Sequence, residues 1–260
     1  MTIKEVAATL EQFAPLPLQE SYDNAGLQIG LTGDENVSGV LLCLDVTEKV
    51  IYEAEEKGCN LIVAHHPLLF RPLRHICGQN QVERCVLLAI QKGIAVYAAH
   101  TNLDNAPNGV NFMIAEKIGL TNVHFLQPIN GLNGGSGVVG DLHQAENPES
   151  FLKRVASIFH VEGFMHNEIP KHTVKRIALC GGAGEFLLEQ AIRIEADVFL
   201  TGEMGYHRYF GHEGEILIGV MGHYQSEQYT IQLLHRILAQ NQPLLRIEMT
   251  NINTNPIYMN

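Results

Sequence analysis

The chain carries one pattern twice, and this repetition restricts its fold more than any other feature. Residues 38–66 read SGVLLCLDVTEKVIYEAEEKGCNLIVAHH, and residues 175–203 read KRIALCGGAGEFLLEQAIRIEADVFLTGE. Laid together without gaps, Cys43 falls on Cys180, Ala54 on Ala191, Val63 on Leu200 and His66 on Glu203. Each copy opens on a short apolar run, 40–44 or 177–180, that reads as a buried strand. Apolar residues then recur at helical spacing: Val50, Ile51 and Ala54 in one copy, Leu187, Leu188, Ala191 and Ile192 in the other. Thr47 is placed to cap the first of these helices and Gly58 to end it. A second apolar run, 61–64 or 198–200, closes each copy.

The match resumes further along. GIAVYAAHTNLD (93–104) pairs with EILIGVMGHYQSE (215–227), and both are apolar strands that lead to a histidine and, four residues later, a carboxylate. Strand–helix–strand order implies parallel pairing through right-handed crossovers. The expected class is therefore α/β with mostly parallel sheets in two repeat regions. Residues 1–128 plus about 215–260 form the first region, and residues 129–214 form the second. The Gly-rich segment 130–150 reads as the seam between them, with Asn147 and Pro148 opening a new helix.

Charge and composition exclude several functions. Seventeen basic and 28 acidic residues leave a formal charge of −11 among 260 residues. Such a surface repels a polyphosphate backbone, so nucleic-acid binding is not expected. No apolar run approaches the roughly 20 residues that span a bilayer. The first residues, MTIKEVAATLEQFAPLPLQE, carry Glu5 and Glu11 within a helical pattern and lack the basic start of a targeting peptide. Five cysteines without a framework of spacings point to reduced thiols and a cytoplasmic location, with Cys43 and Cys180 as core residues.

In open parallel sheets, ligands gather beyond the carboxyl ends of the strands. His65, His66, His100, Glu203 and His223 all fall there, with Asp104 and Glu227 four residues after a histidine. A following helix would put each such histidine and carboxylate on one face. This mixed nitrogen and oxygen set suits Zn, Mn, Fe or Co. The adjacency of His65 and His66 is awkward for a single ion, because neighbouring strand residues face opposite ways. Two glycine stretches compete for attention. GSGVVG (135–140) fits a dinucleotide-binding pattern literally, but the helix it should open begins too late. CGGAGE (180–185) could offer backbone amides to an anion, yet it reads more readily as a tight turn. Neither a P-loop nor a G-x-S-x-G nucleophile motif is present.

The blocks YDNAGLQIG (22–30), LDVT (44–47), VAHHPLLF (63–70), HTNLD (100–104), LTGEMGYH (200–207) and GHYQSE (222–227) resemble those of the GTP cyclohydrolase 1 type 2 homologue family, also called Nif-three-like. The resemblance implies two intertwined α/β repeats with mostly parallel mixed sheets, and here no inserted extra domain. It implies a dinuclear centre of Zn, Fe, Mn, Co or Ni, held by His65, His66, Asp104, His223 and Glu227, with Glu227 bridging. His100, Glu203 and His207 would line the same pocket, His100 and Glu203 as proton carriers. A homo-hexamer is implied as well. The expected chemistry is hydrolysis by a metal-bridging hydroxide, with GTP or a related nucleotide as substrate. The alternative is a metal-handling protein or a hexameric scaffold without turnover. On the two-metal view, diverging His65 and His66 would each serve a different ion.

Overall fold

The computed structural model describes residues 1–30 and 33–258. In chain order the elements begin with α1 (Ile3–Phe13), β1 (Gly26–Ile29), β2 (Val40–Cys43), α2 (Glu48–Glu56), β3 (Leu61–Ala64), α3 (Gln81–Lys92), β4 (Ala95–Ala98) and the one-turn α4 (Thr101–Asp104). They continue with α5 (Val110–Ile118), β5 (Thr121–Pro128), β6 (Gly135–Glu146), α6 (Pro148–Phe159), β7 (Met165–His166), β8 (Val174–Cys180), α7 (Leu188–Arg193), β9 (Val198–Thr201), β10 (Leu217–Val220) and α8 (His223–Glu227). The last two are α9 (Thr230–Asn241) and β11 (Ile247–Met249). These elements form two compact units, one of residues 1–103 with 230–258 and one of residues 104–229.

The first unit is built on a sheet in the order β1–β4–β3–β2–β11. Its strands run parallel except β1, which pairs antiparallel with β4. β2, β3 and β4 are buried along their whole length, as continuous apolar runs in a covered parallel sheet should be. Leu41, Cys43, Ile62, Ala64 and Val96 point to one face, where Val50, Ile51 and Ala54 of α2 and Cys85 and Ala89 of α3 pack on them. α9 packs against β2 and β11, and against α1. The helix signals act as the sequence implies. Thr47 accepts a hydrogen bond from the Val50 amide at 3.3 Å, and Gly58 turns the chain out of α2 with φ +62°.

The second unit repeats this plan within a mixed sheet, β5–β6–β8–β9–β10–β7. β8, β9 and β10 are parallel, while β5, β6 and β7 join antiparallel. The repeat is reproduced in the hydrogen-bond register. Val40 pairs with Leu61 and Cys43 with Ala64 in one sheet; Ile177 pairs with Val198 and Cys180 with Thr201 in the other. Positions equated by sequence are therefore equated in space within each sheet. Cys43 and Cys180 are both buried.

The expected seam is not a linker. Residues 135–146 form β6, whose glycines allow close neighbours rather than flexibility. A Cβ on Gly135 would lie 2.7 Å from the Gln127 carbonyl oxygen, and one on Gly140 2.9 Å from that of Thr121. This also removes GSGVVG as a phosphate loop, since it is strand throughout. Asn147 and Pro148 do open α6, the Asn147 side chain accepting from the Ser150 amide. Among the described residues, no helix is long and apolar enough to cross a membrane.

Candidate metal centre

Within the first unit the candidate residues lie just past β3 and β4. The His65 and His66 amides donate to the Cys43 and Leu44 carbonyls, at 3.2 and 2.9 Å, so the backbone of the pair stays bonded to the chain leaving β2. The chain bends there, however, and the two rings do not diverge as strand neighbours would. Their centroids lie 4.9 Å apart, and each is within 5.5 Å of the His100 ring. Strand alternation alone would make the two rings diverge; the bend brings them together instead.

Each of these rings is fixed through Nδ1. The Nδ1 of His65, a fully buried residue, lies 2.8 Å from the Ala99 carbonyl oxygen. That of His66 is 2.7 Å from Asp45 Oδ1, and that of His100 is 2.8 Å from Asp23 Oδ1. A carbonyl or an ionised carboxylate only accepts, so in each neutral imidazole Nδ1 carries the proton and Nε2 the lone pair. Metal-ligating histidines are held in this way by their surroundings.

Asp45 and Asp23 carry no spacing signal that links them to a histidine, although both stand in the blocks LDVT and YDNAGLQIG. Burial opposes ionisation of Asp45, but bonds from His66 and Thr254 outweigh it and hold the carboxyl below its usual range. Asp23 is also buried, yet bonds from His100 and Thr101 and from the Asn24 amide bring it down to about 2. Its Oδ2 accepts from the Thr101 amide at 3.0 Å and from the Thr101 hydroxyl, capping α4. A depressed carboxyl stabilises the fold fully above its unfolded value near 4, and the gain disappears as pH falls towards 2. Asp23→Asn is therefore expected to remove roughly 2 kcal/mol at pH 6 and far less at pH 2.5. Urea unfolding at the two pH values measures the difference.

In the second unit, α8 brings His223 and Glu227 together. They occupy i and i+4 of one helix, and His223 Nε2 lies 3.1 Å from Glu227 Oε2. On its other side His223 Nδ1 lies 2.7 Å from Glu203 Oε1. With Nδ1 donating to Glu203, a neutral His223 would turn its Nε2 lone pair towards a buried carboxylate. Two electron-rich atoms that close call for a proton or a cation between them. Gly182, at φ +59°, gives Glu227 its room: a Cβ there would overlap Oε1.

His100 and Asp104 do not repeat this helical pair. The strand register sets Ala98 opposite Ala64 and Val220 opposite Thr201. His100 stands two residues beyond its strand and His223 three, so the motif match is out of step by one. His100 thus precedes α4 and turns to Asp23. Asp104 ends α4, and its carbonyl accepts from Asn111. Glu203 sits after β9 as the partner of His223. His207 lies in the turn Tyr206–Tyr209, with its ring against Tyr206 and Phe210.

CGGAGE is a tight turn with its amides already engaged. Gly181, Gly182 and Gly184 donate to Asn111, Ser226 and Thr201 side chains. The Gly182 carbonyl accepts from the Gly202 and Glu203 amides. The loop therefore orders the neighbours of His223 and Glu227 rather than holding an anion.

Comparison with known proteins bears on the family and the fold. The family model described as Duf34/NIF3 (NGG1p interacting factor 3) matches residues 1–256. A Lactococcus lactis protein named GTP cyclohydrolase 1 type 2 homolog is 34% identical, over 99% of both chains. A Drosophila melanogaster NIF3-like protein 1 is 31% identical, over 91% of this chain and 81% of its own. The crystal structure of a Staphylococcus aureus hypothetical protein superposes with a TM-score of 0.90 at 28% identity, covering 100% of this chain and 99% of that one.

Proposed function

The chain belongs to the Duf34/NIF3 family, and on that premise we propose that it is a metal-dependent hydrolase whose ligands are His65, His66, Asp104, His223 and Glu227. The observation that carries this reading is the common anchoring of the imidazoles through Nδ1, which presents Nε2 as the donor atom. Two divalent ions, with Glu227 as their shared carboxylate, are proposed from the sequence resemblance. Zn, Mn, Fe, Co and Ni all suit such a nitrogen and oxygen set. When bound, the metal would supply Lewis acidity and a water of lowered pKa. Asp45 and Glu203 orient His66 and His223. His100, braced by Asp23, is the group proposed to move a proton to or from solvent.

GTP is the first substrate to test, because relatives carry that name as homologues. A second reading, metal holding without turnover, is favoured by Glu203: its bond to His223 Nδ1 makes it a ligand brace rather than a proton carrier. A homo-hexamer accompanies either reading as a proposal. Metal-replete protein is expected to consume GTP or a member of a phosphoester panel, and to stop when chelated. Full metal occupancy with no turnover across the panel would favour the second reading. Light scattering with and without chelator reads the assembly.

A further inference from the structure

We propose that the segment after β11, residues 250–258, belongs to the candidate metal centre, and that Thr254 is a positioning residue for His66. The proposal rests on the reading of His66 as a ligand. Asp45 uses both carboxylate oxygens. Oδ1 takes the His66 Nδ1 proton at 2.7 Å, and Oδ2 accepts from the Thr254 hydroxyl at 2.8 Å. The terminal torsion of an aspartate is broad, so a carboxylate held at one oxygen can swing. Held at both, its plane is set, and with it the plane and tautomer of the imidazole.

The segment that delivers Thr254 is docked on the first unit by backbone and side-chain bonds. The Thr250 amide donates to the Leu42 carbonyl at 2.9 Å, extending the β11–β2 ladder by one step. Glu53, buried on α2, receives the Asn251 amide at 2.9 Å and also the Thr250 hydroxyl. Lys57 ties Glu53, at 2.9 Å, to the Met249 carbonyl, at 3.1 Å. Ile252 packs on the core beneath α2. Asn253 and Asn255 then accept the amides two residues on, keeping the chain in successive turns beyond the site. Each of these bonds lies within the first unit, and together they fix where the Thr254 hydroxyl points.

The test uses the full chain and Zn as probe. Thr254→Val keeps the shape of the side chain but removes its proton. Its affinity for Zn, measured against a chromogenic chelator, is expected to fall about tenfold, the low end for a partner outside the ligands themselves. Thr254→Ser restores a hydroxyl and should bind within about twofold of the parent. Imidazole nitrogen NMR on the metal-free protein gives an independent reading: His66 should move from one tautomer to a mixture in Thr254→Val and return in Thr254→Ser. The proposal is overturned if Thr254→Val keeps both the parental affinity and the single tautomer while His66→Ala loses the metal. If His66→Ala also binds Zn like the parent, the ligand reading itself fails, and this proposal with it.

Discussion

Glu227→Gln is expected to abolish metal loading and leave the fold intact. The substitution keeps the size of a side chain that is only 3% exposed, so the space beside Gly182 stays filled. It removes the negative charge and replaces an oxygen donor with an amide, a poor ligand for a divalent ion. Without metal the change is harmless, because the new NH2 group can donate to the His223 Nε2 lone pair that the carboxylate opposed at 3.1 Å. Loss of affinity should therefore exceed about a hundredfold, beyond the range for residues that only brace a ligand. Thermal melts separate the two effects. The parent should gain about 2.7 kcal/mol when metal stands at a hundred times its dissociation constant. The variant should gain nothing, and its metal-free melting temperature should match or exceed the parent's. Stoichiometric metal in the purified variant, measured by elemental analysis, would remove Glu227 from the ligand set.

The adjacent histidines should respond very differently to alanine, although both changes should cost the metal. His65 is fully buried, and its Nδ1 satisfies the Ala99 carbonyl. His65→Ala opens a cavity and leaves that carbonyl without its partner, costing roughly 2–4 kcal/mol of stability. His66 is half-buried, and after His66→Ala the Asp45 carboxylate keeps Thr254 and gains access to water. The cost there should stay below about 1 kcal/mol. Urea unfolding of the two metal-free variants measures the contrast. Equal stability losses would show that the ring of His65 is not the structural member of the pair.

Much of the architecture could be read from residue order. The duplicated strand–helix–strand unit, its caps at Thr47 and Asn147, and the placement of the candidate residues past strand ends all follow from local pattern. What escaped that reading depends on long-range geometry. Asp45, Asp23 and the Ala99 carbonyl orient imidazoles from other strands or loops, and no spacing rule connects them to their histidines. The out-of-step match of His100 with His223 arose because a loop of unequal length lets a His-x-x-x-acid motif align one residue off. Only the ladder register resolves it. The glycines of β6 look like a seam by composition, which does not distinguish flexibility from close strand approach. Strand alternation predicts diverging rings at His65 and His66, whereas the bend that follows β3 brings them together.

The first unit is discontinuous, and its second piece is made after the second unit. β2 and β3 emerge early in synthesis, but β11, which pairs Ile247 with Val40, follows only after every residue of the second unit has been translated. Until then the nascent sheet has an open edge along β2, the kind of edge that invites wrong pairing. Thr254 arrives later still, so His66 is braced only after the whole second unit has been made. On the proposed ligand reading, metal capture at His66 would then report that the nascent chain had passed β11 and reached Thr254.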